Sequence, residues 1–330
     1  MKRSLPVAAL AAVGMALAAC SGSPTGGATT RSGPPSTSSA SGSVTSSARS
    51  SVTPQTPSSP TATGAPRPKA APGRFTRTTL YRGSAHPDDL TFDGSGRLLF
   101  SDYTNGTVSR LNPDGTVTVL HRGLAGPEGL VLLADGTLVV AQEKTNRIVS
   151  FAPGSDTAHL LRTLPGTPTL VECHQGVDGI AWDPSTKSLV VPDAPTGAIY
   201  RLSTDGRSLT RVAGGFTHPV GATVDAAGRI YVADECGGDV WRVTAGGGRV
   251  RVAPAAMPDD VALDGFGNII VTDVRHIRHS VTRTNLRTGA TTTLASAGLV
   301  EPQGLVLDRS GAIYVSDDIA DVIIKLTPRG

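Results

Sequence analysis

One stretch, PVGATVDAAGRIYVAD from Pro219 to Asp234, decides what this chain can fold into, because the sequence writes a version of it six times. The other copies are PDDLTFDGSGRLLFSD from Pro87, PEGLVLLADGTLVVAQ from Pro127, VDGIAWDPSTKSLVVPD from Val177, PDDVALDGFGNIIVTD from Pro258 and PQGLVLDRSGAIYVSD from Pro302. Their starts lie 40, 50, 42, 39 and 44 residues apart. Within the Pro219 copy, GATVD reads as a strand, AAG as a turn and RIYVA as a second, β-branched strand. VWRV and RVRVA then supply a third and a fourth, joined by AGGG. The recurring D-x-x-G step fits a tight turn, since Asp can bond its own turn backbone and Gly accepts positive φ. Four short antiparallel strands at a period near forty predict the blade of a β-propeller, so the chain is expected to be all-β with six four-stranded blades.

The sixth copy ends at VIIKLTPRG without a fourth strand, whereas TRTTLYR, Thr76 to Arg82, precedes the first copy. The expected closure has this N-terminal segment supplying the outer strand of the last blade, which removes the open edge of the ring. The propeller is assigned to residues 74–330. Before it the chain holds no Asp or Glu and cannot build a core. Six Lys or Arg fall there, leaving 24 in the propeller against all 27 acids, a net charge of about −3. No basic stripe with interleaved aromatics runs through the repeats, which argues against nucleic acid as a partner.

Met1-Lys2-Arg3, an apolar run from Pro6 to Ala19 and the small residues before Cys20 read as a secretory signal over residues 1–19. The ending Leu17-Ala18-Ala19-Cys20 resembles a bacterial lipobox, which implies diacylation of Cys20 and anchoring on the extracytoplasmic side of a membrane. Residues 20–73, rich in Ser, Thr, Pro, Gly and Ala, are expected to be an unstructured tether with a reach of roughly 40 Å.

The pattern PxGLxxDxxGxxYVxD resembles the NHL-repeat and senescence-marker-protein/gluconolactonase propellers, over residues 76–330. At the second position of each repeat stand Asp88, Glu128, Asp178, Val220, Asp259 and Gln303, where the connection into each first strand opens on the central mouth. Four carboxylates about one axis suit Ca2+ or solvation. The gluconolactonase resemblance implies metal ligands at this mouth position, carried over to Glu128, Asp178 and Asp259, with Asp88 beside them, and Asp259 or Asp178 as general base. No P-N-G opens a repeat here, and the first copy begins HPDD.

His86 and His218 precede the first and fourth copies and His174 the third, so all three enter at the mouth as candidate substrate contacts. A distant resemblance to amidating-lyase propellers makes Zn2+ the alternative cation, held by these imidazoles; the other reading is rim histidines bonded to backbone. Between the second and third copies lies an insertion, LPGTPTLVECHQG from Leu164 to Gly176. Its Cys173, and Cys236 in the adjacent loop of blade four, are the cysteines remaining beyond Cys20, and in an oxidising exterior a disulfide between them is expected. The fifth-blade loop DVRHIRHSV clusters Arg275, His276, Arg278 and His279, either as an anion clamp led by Arg275 or as a solvated loop. No G-x-S-x-G, P-loop, H-E-x-x-H or dinucleotide fingerprint is present.

Two functions follow as expectations. The first is a metal-dependent lactone or ester hydrolase acting on a small molecule at the mouth. The second is a non-catalytic propeller that binds a cell-envelope ligand, peptide or protein partner. In either case the chain is expected to act as a monomer.

Overall fold

The structure is a computed structural model that describes residues 73–169, 171–276 and 279–329. The signal segment, Cys20 and the tether up to residue 72 lie outside the described residues, as does Arg278. Among the described residues no helix is long and apolar enough to cross a membrane.

Among the described residues twenty-four strands form six four-stranded antiparallel sheets, five of them simple meanders. Blades 1 to 5 open with Leu90–Phe92, Pro127–Leu132, Ala181–Asp183, Pro219–Val224 and Pro258–Leu263 and close with Val117–His121, His159–Thr163, Leu209–Gly214, Arg249–Ala253 and Thr291–Ala295. Blade 6 takes three strands from the C-terminus, Pro302–Leu307, Ile313–Asp317 and Val322–Pro328, and its fourth from Phe75–Arg82. That last pair runs antiparallel from Phe75 opposite Pro328 to Arg82 opposite Val322, with one irregularity between Thr79 and Tyr81. The predicted closure is therefore present, and eight residues from one end of the chain lock the other.

The core is distributed among the blade interfaces. Six apolar clusters occur, one between each pair of neighbours; Tyr81, Leu90, Leu98, Phe100, Leu111 and Ile323 form the one that seals blade 6 against blade 1. Each fully buried aliphatic or aromatic side chain of this kind contributes about 1.5–3 kcal/mol. The D-x-x-G turns behave as read from the sequence. Asp225 accepts hydrogen bonds from the backbone N–H of Ala227 and Arg229, both at 2.9 Å, and Gly228 adopts φ +75°.

The third position of the repeat packs the first strands around the axis. It is Gly in four copies; a β-carbon would collide with the next blade at Gly129 with Asp178 and Ile180, at Gly221 with Asp259 and at Gly304 with Asp88 and Asp89, and at Gly179 it would press on Gly221. In blades 1 and 5 the position is Asp, and its carboxylate reaches across instead. Asp89 Oδ2 accepts from Leu130 N at 2.8 Å and Asp260 Oδ2 from Leu305 N at 2.9 Å. Either device joins adjacent blades at the channel wall.

Candidate functional site at the propeller mouth

The last residue of each second strand, the terminal D of the repeat, sets the mouth. Asp102 accepts from His86 N at 3.1 Å, Asp234 from His218 N at 2.7 Å, Asp273 from Ala256 N at 2.7 Å and Met257 N at 3.2 Å, and Asp317 from Val300 N at 2.6 Å and Glu301 N at 3.1 Å. In blade 2 the amide oxygen of Gln142 does the same for Ala125 N at 2.7 Å. Each clamp fixes the connection a few residues ahead of the mouth position, so the repeat carries its own positioning group.

Asp88, Glu128 and Asp259 are buried, with 8, 6 and 8 % of their surface exposed, and Asp178 and Gln303 are half-buried. The Asp88 and Glu128 carboxyls stand next to each other in the ring and interact directly. Gln303, with its amide nitrogen turned inward, donates to both Asp259 oxygens at 2.8 and 3.2 Å. Burial, reinforced by the negative charge of their neighbours, pushes all four carboxyls well above the usual carboxylate range. Groups so placed hold protons that an exposed carboxyl would have released.

A second tier of groups comes from the rim. His218 is 2 % exposed, its Nδ1 lies 2.8 Å from Glu235 Oε2, and its Nε2 is buried without a hydrogen-bond partner. A carboxylate at Nδ1 fixes the tautomer with the proton on that nitrogen, leaving the Nε2 lone pair bare. Glu143, in a single 3-10 turn over Glu143–Thr145, is raised to about 7 by burial, against the opposing hydrogen bond from Tyr103. Asp318 is likewise raised to about 7 by burial and by the charges of Glu301 and Asp317. Glu143 lies within electrostatic reach of Asp88, Glu128, Asp178 and His218, so ring and rim form one acidic site with one imidazole.

The insertion between blades 2 and 3 is fastened beside this site. Buried Asn146 donates to Gly166 O at 2.8 Å and accepts from Val177 N at 2.8 Å, holding both ends of the loop. The expected disulfide, Cys173–Cys236, ties its tip to the residue that follows Glu235, with a Cα separation of 5.8 Å.

The remaining sequence candidates have separate partners. His86 Nδ1 pairs with Asp321 at 2.7 Å between blades 1 and 6; burial lowers its pKa, but the Asp318 carbonyl with Asp321 and Asp102 outweighs it and the net shift is upward. His174 is exposed, and its backbone N–H bonds Val171 O at 3.0 Å. Arg275 is exposed and is fixed through its backbone N–H to Asp273 at 3.1 Å.

Around Ca2+, with oxygens at 2.3–2.6 Å, two ligand atoms stand at most about 5 Å apart. Among the described residues the one set of three ligand atoms within 4.8 Å is His218, Glu235 and Cys236, whose sulfur is committed to the disulfide. The ring carboxyls do not fit a preformed three-carboxylate cage, and His86, His174 and His218 do not converge on a zinc site. The clamp Asp, the second Asp of P-D-D and the His218–Glu235 pair were missed by sequence reasoning. Of these, the clamp had a signal, its recurrence at the end of five copies.

The chain matches neither the protein-family profiles nor the curated proteins compared with it by sequence. Solved structures share its architecture. A gluconolactonase from Xanthomonas campestris superposes with a TM-score of 0.64 at 19 % identity, covering 79 % of this chain and 92 % of that one. A catalytically inactive histidine-to-alanine variant of virginiamycin B lyase from Staphylococcus aureus, with quinupristin, gives 0.57 at 17 %, covering 77 % and 99 %. The PQQ-bound aldose sugar dehydrogenase of Streptomyces coelicolor gives 0.62 at 16 %, covering 78 % and 99 %. These likenesses establish the six-bladed fold; the three chemistries named on it show that fold alone does not choose among them.

Proposed function

We propose that the protein is an enzyme that opens lactone or ester bonds at the propeller mouth, by acid–base chemistry between His218 and the buried carboxyls. The observation that carries this is the bare, buried Nε2 of His218 with Glu235 fixed on the opposite nitrogen. A buried polar atom without a protein partner costs about 1–3 kcal/mol, which a bound water or substrate group at this nitrogen would offset. In the proposed step His218 Nε2 takes a proton from water as the water oxygen bonds to the carbonyl carbon. Glu235 stabilises the imidazolium that forms. As the C–O bond breaks, a carboxyl that has kept its proton, Glu128, Asp178 or Asp259, passes it to the leaving oxygen. Burial, which raises both carboxyls, suits Asp178 and Asp259 to donate protons rather than to accept them, and the role of base falls to His218.

None of this is routed through a cation. The spacing allows Ca2+ only in a looser form, between two ring carboxyls such as Asp88 and Glu128 with water completing its shell. Export and anchoring through Cys20 are part of the same proposal, supported by the lipobox resemblance and in keeping with a disulfide.

Val171, Val300 and Ile319, 62, 40 and 57 % exposed, all stand on loops of this rim. They favour a second reading, a ligand-binding propeller without chemistry. A screen of the full-length chain against lactones and esters, beside His218→Ala, separates the two. The enzyme reading expects turnover that falls at least about a hundredfold in the variant. Binding of the same compounds without turnover would favour the second.

A further inference from the structure

His218 is gripped at three points by two consecutive residues of blade 4. Asp234 Oδ1 accepts from its backbone N–H at 2.7 Å, Glu235 N–H donates to its carbonyl at 2.9 Å, and Glu235 Oε2 meets its ring at Nδ1 at 2.8 Å. The ring is therefore aimed only as well as the Asp234 carboxylate is held. That carboxylate is 1 % exposed and has a further tie. Arg249, the first residue of the outer strand of the same blade, donates from Nη1 to Asp234 Oδ2 at 2.7 Å.

The guanidinium has supports of its own. It lies over the Phe216 ring at 4.9 Å and over the Trp241 ring at 4.5 Å, both of them part of the apolar packing between blades 3 and 4. Trp241 is fixed in turn by its indole N–H, which donates to Gly238 O at 3.1 Å. A planar cation laid on aromatic faces keeps few orientations open. Two other clamps are buttressed by neutral amides, Asp102 Oδ2 by the Asn105 side chain at 2.8 Å and Asp193 Oδ1 by that of Asn146 at 2.7 Å. In the blade that carries the buried histidine a cation takes this place, and a hydrogen bond charged on both sides is the stronger kind.

We propose that Arg249 is a positioning residue for His218, acting through Asp234. With Arg249 in place, Oδ2 is held and Oδ1 faces the His218 peptide. Without it Oδ2 keeps only the N–H of Thr217 at 3.1 Å, which it shares with Oδ1 at 3.0 Å. The carboxylate is then free to turn, the His218 backbone moves with it, and Nδ1 loses its alignment with Glu235. Only the effect on turnover rests on the reading of His218 as the base; the change at the ring is measurable without a substrate.

The test compares the full-length wild-type chain with Arg249→Gln, Arg249→Lys and Arg251→Gln, by nitrogen-15 NMR of the histidine side chains and by turnover of lactones and esters. Arg251, on the same strand, pairs with Asp239 at 2.6 Å and not with the clamp. In R249Q the His218 Nδ1 and Nε2 shifts should move toward each other as the two tautomers mix, and kcat should fall at least about tenfold with KM within about twofold of wild type. R251Q should leave both readouts unchanged, and R249K, which keeps the charge without the planar fork, should fall between. In an Asp234→Asn background R249Q should add nothing further at the His218 ring, since the path it acts through is already broken. Should the wild type turn over no compound, the hydrolase reading fails and the ring shifts alone decide the positioning. Wild-type His218 shifts in R249Q, or changes of equal size in R251Q, would overturn the proposal, and if R249Q does not fold R249K is judged by the same criteria.

Discussion

Removing one clamp should loosen one sector of the mouth while leaving the repeat pattern intact, and Asp273→Ala is the most informative case. Asp273 is 7 % exposed and accepts from the backbone N–H of Ala256 at 2.7 Å, of Met257 at 3.2 Å and of Arg275 at 3.1 Å. Alanine leaves these three donors without their carboxylate. Hydrogen bonds to charged groups are worth about 1.5–3 kcal/mol each, and three sharing one acceptor group are not additive, so a total loss of about 3–5 kcal/mol is expected. For a domain of this size that corresponds to a fall in Tm of roughly 6–20 °C. Asp273→Asn keeps one acceptor oxygen and should lose about half as much. Because Asp259 follows Met257 by two residues, the alanine variant should also disturb the mouth, read as a chemical-shift change at the Gln303 side-chain amide that donates to Asp259. Thermal unfolding by circular dichroism gives the first quantity and amide-resolved NMR the second. A Tm within about 2 °C of wild type would refute the idea that the repeat's terminal Asp holds the connection. A large fall in Tm with no change at Gln303 would confine it to stability and deny it the site.

Stability should fall as pH rises from about 4.5 to 7, since Asp89, Glu143 and Asp318, raised to about 6, 7 and 7, keep protons in the folded state that the unfolded chain has released. Each such proton gives a slope of about 1.4 kcal/mol per pH unit, and a Tm that climbs between pH 5 and 7 would contradict this. Reduction of Cys173–Cys236, which closes a loop with a sequence separation of 63, should cost up to about 4 kcal/mol. Reduction should also weaken turnover by freeing the loop that carries Glu235, whereas a Cys173→Ser/Cys236→Ser protein with wild-type stability and turnover would show that the bridge is incidental.

The propeller was legible because its signals are periodic: turn chemistry, β-branched runs and the missing sixth fourth strand all repeat or fail to repeat on a fixed length. The mouth carboxylates were legible for the same reason, since Asp88, Glu128, Asp178 and Asp259 occupy one repeat position. Their behaviour was not. Whether a carboxylate ring closes on a cation or stays apart and holds protons depends on spacings across the ring, which no single repeat encodes. The P-D-D of blades 1 and 5 shows the limit well. Its first Asp faces the mouth and its second bonds the next blade, and side by side in sequence they look alike. His218 was read as one of three rim histidines, but only the fold brings Glu235, seventeen residues on, against its ring nitrogen.

The proposed chemistry turns on the state of one ring, and nitrogen-15 NMR of the histidine side chains in the full-length chain near neutral pH, with His218→Ala to assign the signal, measures it directly. His218 should carry its proton on Nδ1, facing Glu235, and Nε2 should have the shift of an unprotonated nitrogen. A His218 ring protonated on Nε2 with Nδ1 bare would leave the site without its base and contradict the account.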